Sequence, residues 1–256
     1  MRRYWVETNS LQGDLVHFQG DVFHHIFGVC RQELGSHFEI LIGDQVARLV
    51  EVTEVRKKEA WARIQETRPI PDLPRPLIHL VLSIPRFPVM EAILEKAVEL
   101  GVAAIIPVFS DLSFIHKMDS LPNSKWERWQ KIIVSATQQS GRGQLMQLMP
   151  PQNLTSVQES LNRTKGQVGL FAYEGPGQLT LRQALHPLRT DTSENPQEIW
   201  VFVGSEGGYS EQEVQSFQRL GLVPITLGDQ VLRVETACIA LLAVLKYELV
   251  KTTNRP

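Results

Sequence analysis

Apolar and polar residues follow two different rhythms along the chain. Up to about Arg68 the period is two. The run F-E-I-L-I-G-D-Q-V-A-R-L-V-E-V-T-E-V, residues 38–55, predicts two strands around a Gly43-Asp44 turn. W-A-R-I-Q-E, residues 61–66, predicts another strand, and D-V-F-H-H-I-F-G-V-C, residues 21–30, a short helix with Asp21 near its cap. Short alternating strands of this kind predict a small β-barrel. The segment R-P-I-P-D-L-P-R-P then places four prolines between Pro69 and Pro76, which excludes a helix and predicts an extended linker.

Beyond the prolines, apolar strands alternate with helical patterns. Strands are expected at Leu77–Ile84, Ala103–Phe109, Val168–Tyr173, Ile199–Val203 and Val223–Leu227. A helix is expected from Val89 to Leu100, with Met90, Ile93, Leu94, Ala97 and Val98 on one face and Gly101 closing it. Ser124-x-x-Glu127 and Ser210-x-x-Glu213 have the capping-box pattern and predict two further helix starts. The first carries Trp126, Trp129, Ile133 and Ala136 on its core face, and the second carries Val214, Phe217 and Leu220 up to Gly221. A short helix is expected over Leu179–Leu185 and a long one from about Val234 to Val250. Such alternation predicts a mainly parallel sheet covered by helices on both faces. The stretch T-D-T-S-E-N-P is expected to be a mobile loop. The organisation is therefore a barrel over residues 1–68, a linker over 69–76 and an α/β domain over 77–256.

Composition narrows the classes. The two cysteines, Cys30 and Cys238, form no CxxC, which argues against a disulfide scaffold or a zinc ribbon. His24-His25 predicts no metal site, because adjacent side chains on a helix do not converge; core packing and backbone hydrogen bonding are expected instead. No signal-peptide h-region follows the two N-terminal arginines, and the apolar stretch Ala237–Leu245 falls short of a bilayer span. A cytoplasmic protein without membrane association is expected. The net charge of −2 requires that any nucleic-acid contact use a segregated basic face. Arg2-Arg3, Arg56-Lys57-Lys58 and the set Lys125, Arg128, Lys131, Arg142 could supply one, or could be solvated surface.

Ligands of open α/β sheets sit at the carboxyl ends of strands. Three of those ends are followed by glycine turns: Y-E-G-P-G, G-S-E-G-G and L-G-D-Q-V-L-R. Glycine admits close approach of backbone groups to a ligand. No G-x-G-x-x-G dinucleotide or P-loop pattern is present, and Glu206 within the second turn would repel a phosphate. A ligand with little anionic charge fits, such as an adenosine bearing a cationic centre. Ser205 is not at the centre of a nucleophile elbow. In Q-Q-S-G-R-G, residues 138–143, Arg142 either favours a helix C-terminus or offers a planar fork to phosphate.

These motifs, in order over nearly the whole chain, resemble the ribosomal small-subunit uridine-N3 methyltransferase family of the SPOUT class. The specific ones are F-A-Y-E, V-G-S-E-G-G-Y-S-E-Q-E and L-G-D-Q-V-L-R-V-E-T-A; R-R-Y-W-V, H-H-I-F-G-V-C-R, M-E-A-I-L-E-K-A-V-E-L-G-V and Q-Q-S-G-R accompany them. The resemblance implies a PUA-like barrel that helps hold RNA, then a SPOUT-type parallel sheet with a C-terminal trefoil knot, and a homodimer formed through the knot domain. It implies S-adenosyl-L-methionine held by Phe171, Glu174, Gly204, Glu206, Gly207, Gly208, Leu227, Gly228, Val231 and Leu232. The implied substrate is a uridine of 16S rRNA or of the small ribosomal subunit. Arg233, Arg142 and Glu235 are the implied catalytic set, with Arg233 stabilising the anionic base or placing the target phosphate and Arg142 holding RNA. Glu206 would shape the cofactor loop or face the sulfonium.

The chain departs from the family pattern at Arg86, Leu112, Ser135, Ser205, Gln230 and Val234. Leu112 and Gln230 stand where the family has arginine. A catalytically weakened RNA-associated protein, a methyltransferase with another RNA target and an unrelated small-molecule α/β enzyme are the other readings.

Overall fold

The computed structural model describes residues 2–161, 166–190 and 196–250. Most of the expected T-D-T-S-E-N-P loop lies outside the described residues. The chain divides into two units, residues 1–72 with 134–145, and residues 73–133 with 146–256.

The first unit is built on alternation. Its strands are β1 (Arg3–Trp5), β2 (Leu11–Gln12), β3 (Leu15–Gln19), β4 (His37–Leu41), β5 (Val46–Val55) and β6 (Glu59–Pro69). They form one sheet in the order β1-β4-β5-β6-β3-β2, antiparallel except for the β1–β4 pair. Every second residue points inward, so Val16, Phe18, Phe38, Ile40, Val50, Val52, Ala60 and Ala62 make one core with Tyr4 and Ile26. Register shifts at Leu49/Val50 and Val52/Glu54 mark bulges, which bend a strand. The expected barrel is thus a half-barrel whose edge strands, β1 and β2, are three and two residues long.

The helix expected near Asp21 is α1 (Gly20–Phe23) running into a π-helical turn, His24–Val29. Only Ile26 of that turn is buried. His24 and His25 are exposed, which corrects the expected core role; the turn is too short to bury a second face. His25 instead meets the edge of Tyr4, with ring centroids 5.9 Å apart.

One carboxylate ties this unit together. Glu39, 8% exposed, accepts from Arg3 Nε at 2.9 Å and from Arg68 Nε at 2.8 Å. Arg3 also donates to the carbonyl of Gly141. Burial alone would raise the Glu39 carboxyl, but hydrogen bonds and charge from Arg3 and Arg68 outweigh it and hold the group below the usual range. Arg142, next to Gly141, is 9% exposed, and burial lowers its guanidinium to about 10, so it stays charged at neutral pH.

The second unit carries a wholly parallel sheet. Its strands are β7 (Leu77–Ser83), β8 (Ala104–Phe109), β9 (Gln147–Leu148), β10 (Gln152–Asn153), β11 (Gln167–Ala172), β12 (Leu179–Thr180), β13 (Glu198–Val203) and β14 (Val223–Thr226). The order is β10-β8-β7-β13-β11-β14-β12, with β9 beside β8. The helices are α2 (Phe87–Glu99), α3 (Asn123–Ser140), α4 (Leu154–Ser160), α5 (Leu181–Thr190), α6 (Glu211–Arg219) and α7 (Val234–Leu249). Residues 134–140 of α3 group with the first unit.

Val81, Ile106, Phe171 and Phe202 on one sheet face pack with Val157 of α4 and Val214 and Phe217 of α6. The intervening residues Leu80, Leu82, Ile105 and Val201 are fully buried on the other face. The helix α2 presents the five expected residues, Met90, Ile93, Leu94, Ala97 and Val98, all buried. Each buried Leu or Ile of that face contributes about 1.5–3 kcal/mol. Among the described residues no helix is long and apolar enough to cross a membrane.

Two expected helix starts move. The amides of Lys125 and Trp126 donate to the carbonyl of Pro122, so α3 begins at Asn123 and Ser124 already lies inside its first turn. Residues 179 and 180, expected in a helix, extend the sheet beside β14, and α5 begins at Leu181. The second capping box is real: the Ser210 hydroxyl accepts from the Glu213 amide, and the Glu213 carboxylate accepts from the Ser210 amide.

Candidate functional site

Because β7, β8, β11, β13 and β14 run parallel, their carboxyl ends emerge at one edge of the sheet. Three of the turns that follow them enclose a cavity of about 780 Å³, within the range of small-molecule sites.

The turn after β13 is the most constrained. The Gly208 amide donates to the Ser205 carbonyl at 2.9 Å, folding G-S-E-G-G back on itself. A Cβ on Gly204 would lie 2.8 Å from three backbone atoms of Gly208, so no side chain fits there. Gly208 has φ +73°, a left-handed conformation that other residues rarely adopt. The turn is then fastened to its neighbours by side chains. Glu206 Oε1 accepts from the Arg86 amide at 3.2 Å, reaching the loop after β7. The Ser205 hydroxyl donates to the Leu112 carbonyl in the loop after β8. Glu213 accepts from the Asp111 amide at 2.9 Å, and Ser210 Oγ donates to Asp111 at 2.6 Å.

The turn after β14 is shaped by Thr226, whose hydroxyl contacts both the amide and the carbonyl of Gly228, at 3.2 and 2.9 Å. It leads into α7. Arg233 is the N-cap residue, exposed, with its carbonyl accepting from the Ala237 amide at 2.8 Å. Glu235 sits in the first turn of α7, where a carboxylate favours the positive end of the helix.

Of the residues singled out in the sequence, Glu174, Gly204, Glu206, Gly207, Gly208, Val231, Leu232, Arg233 and Glu235 line the cavity. Phe171 does not. Its ring is fully buried in the core, 5.0 Å from that of Phe217, because β11 alternates and position 171 points to the α6 face. Leu227 and Gly228 belong to the third turn but are not among the lining residues. Arg142 is held within the first unit.

Arg86, Val89 and Tyr209, to which the sequence assigned no ligand contact, also line the cavity. The signal for the first two was available, since they follow β7, whose carboxyl end lies at the same edge. Cys238, fully buried in α7, has its thiol pushed up by burial and is no nucleophile. The arrangement presents three carboxylates, two guanidinium groups and several backbone amides and carbonyls to one ligand-sized space. That suits a cationic, largely uncharged-framework ligand better than a polyphosphate.

Comparison with known proteins agrees in both parts of the chain. An RNA methyltransferase domain model matches residues 71–246, and an RNA methyltransferase PUA domain model matches residues 18–65. The chain is 28% identical over 253 residues to the Ribosomal RNA small subunit methyltransferase E of Bacillus subtilis, covering 97% of each. It is 26% identical over 225 residues to the protein of that name from Buchnera aphidicola, covering 87% of this chain and 84% of that one. The crystal structure of a Ribosomal RNA small subunit methyltransferase E from Neisseria gonorrhoeae bound to S-adenosyl methionine superposes with a TM-score of 0.81. Identity there is 27%, over 96% of this chain and 97% of that one. With a matching domain model over most of its length and relatives that span nearly all of it, the chain belongs to the RNA methyltransferase family.

Proposed function

We propose that this protein transfers a methyl group from S-adenosyl-L-methionine to N3 of a uridine in 16S rRNA, presented in the small ribosomal subunit. One observation carries the reading: three glycine-bearing strand ends enclose a cavity lined by Glu174, Glu206 and Glu235, with Arg233 beside them. The missing Cβ atoms of the turn after β13 leave a backbone cradle, and the carboxylates suit a positively charged donor. When bound, S-adenosyl-L-methionine supplies an electrophilic methyl group.

The residues of the chain then have distinct work. Gly204, Gly207, Gly208, Val231 and Leu232 hold the donor through close backbone approach. Glu206, whose carboxylate already bridges to the Arg86 amide, fixes the shape of that turn. Arg233, exposed at the start of α7, stabilises the uracil as N3 gives up its proton, or places the adjoining phosphate. Glu235 steadies the helix start that presents Arg233. Arg142, charged and held against the half-barrel, contacts RNA, and the half-barrel shares that task.

The same reading entails a homodimer formed through the second unit and a cytoplasmic location beside its substrate. It also entails the trefoil knot of the SPOUT class, supported by the crossover that carries the chain from β13 past β11 to β14.

The test is methylation of small subunits isolated without the modification, using purified protein and labelled donor, followed by mass spectrometry of the rRNA. Appearance of one 3-methyluridine is expected; no incorporation into subunit or free 16S rRNA overturns the reading. Arg233→Ala should lower the turnover rate roughly 100-fold while donor affinity by calorimetry is unchanged. An unaltered rate would remove Arg233 from the mechanism.

A further inference from the structure

The loop after β8 contains a feature that the donor cavity does not use. From Leu112 to His116 burial alternates: Ser113 and Ile115 face inward, and Leu112, Phe114 and His116 face outward. Leu112 is 45% exposed and Phe114 is 49% exposed. Both are nevertheless fixed. The Leu112 carbonyl accepts from Ser205, and Leu112 packs on Gly207, where an added Cβ would meet it at 3.1 Å. The Phe114 amide donates to the Ile84 carbonyl at 2.9 Å, just beyond β7. Its ring stands edge-on to Phe87 at 5.5 Å, and Phe87 in turn meets the fully buried Trp129 at 6.1 Å.

The result is a rigid apolar shelf at the rim of the cavity, since Ser205 and Gly207 line that cavity and Phe87 adjoins its lining residue Arg86. Lys125 Nζ lies 5.4 Å from the Phe87 ring centre, and Arg86 and Lys117 are exposed nearby in sequence. The carboxylates of this neighbourhood are largely engaged: Asp111 accepts from Ser210, and Glu91 pairs with Arg128 at 2.8 Å and Lys125 at 3.6 Å.

We propose that Leu112 and Phe114 form a stacking platform for an unpaired base of the RNA substrate, and so position it beside the methyl donor. Sequence-specific RNA recognition works on splayed single-stranded bases that stack on aromatic rings, with cations following the phosphates. A ring already locked by Phe87 and Trp129 loses little freedom on stacking. The occupant is a base rather than a second copy of the chain: two exposed side chains make a patch far below the roughly 800 Å² per partner of a stable interface. This inference rests on the RNA methyltransfer reading above.

The experiment uses the full chain with Phe114→Ala, Phe114→Leu and Phe114→Trp. RNA affinity is measured by fluorescence anisotropy on a labelled single-stranded 16S rRNA fragment, donor affinity by calorimetry, and KM and kcat on unmodified small subunits. Phe114→Ala should raise the RNA Kd and KM about tenfold, within the range of one stacked base, with donor affinity intact. Phe114→Trp should restore both constants and Phe114→Leu should not. An unchanged RNA Kd in Phe114→Ala, or full restoration by Phe114→Leu, overturns the platform. So does a shift in sedimentation in Phe114→Ala, which would make the shelf an interface between copies. If the wild type binds RNA but transfers no methyl group, the proposed function fails while the anisotropy still decides the platform. If it binds no RNA, the platform fails as well.

Discussion

Two glycine turns of this chain are held by opposite means. G-S-E-G-G, after β13, is held by backbone: Gly204 lies against Gly208, and the Gly208 amide closes onto Ser205. S-G-R-G, after α3, is held by charge: Arg3 grips the Gly141 carbonyl while sharing Glu39 with Arg68. A backbone cradle depends on the absence of atoms and tolerates no added methyl. A charge-held turn depends on three side chains far apart in sequence and responds to pH. The first kind suits a small ligand that approaches the backbone closely.

The contrast breaks most sharply at Gly204. Gly204→Ala places a Cβ into the Gly208 backbone, an overlap worth about 3 kcal/mol, so donor affinity by calorimetry should fall about 100-fold. Affinity for rRNA should be unaffected. A donor Kd within threefold of wild type would mean that the turn relaxes and that the cradle is not backbone-limited.

Next in size is Glu39→Gln, which leaves two guanidinium groups without their shared anion. Urea unfolding should show a loss of about 2–3 kcal/mol, at the low end for a buried pair because Arg68 is half exposed. Donor affinity should not change. The same variant sharpens the pH contrast. Hydrogen bonds and charge from Arg3 and Arg68 depress the folded-state pKa of Glu39 below the ordinary carboxylate value, about 4.5. Its stabilisation is therefore complete above about pH 4.5 and is lost as pH falls through the lower folded value. Wild type and Glu39→Gln should converge in stability as the pH falls from 4.5 through the lowered folded value; curves that stay parallel would deny the carboxylate that role.

The smallest effect is expected at Ser205→Ala. It removes one hydrogen bond to the Leu112 carbonyl, worth about 1 kcal/mol, and should lower the melting temperature by roughly 2–4 °C. Donor affinity should shift by less than Gly204→Ala shifts it. A larger loss of donor affinity than in Gly204→Ala would mean that the fastening to the β8 loop, rather than the backbone cradle, shapes the cavity.

Much of this was legible residue by residue. The α2 face, the capping box at Ser210 and Glu213, and the glycines after β11, β13 and β14 are local patterns, and local physics suffices to read them. Ser124 misled because Pro122 had already opened the helix, and a capping pattern does not show where the chain first turns. Phe171 misled because the period-two alternation of β11 sends it into the core, while the residues beside it, Ala172 and Tyr173, reach the cavity. Glu39 was invisible, since its partners lie 36 and 29 residues away.

By itself, then, the sequence determined the two rhythms of the chain, the strand ends where a ligand would sit and the backbone character of the site. Those follow from hydrophobic periodicity and from glycine, which act over a few residues. Only the tertiary structure decided which strand ends meet at one edge, that Glu206 bridges to the loop after β7, and that Leu112 and Phe114 stand at the rim of the cavity. Those depend on strand order and on contacts between residues 27 to 120 apart in sequence, which no local pattern encodes.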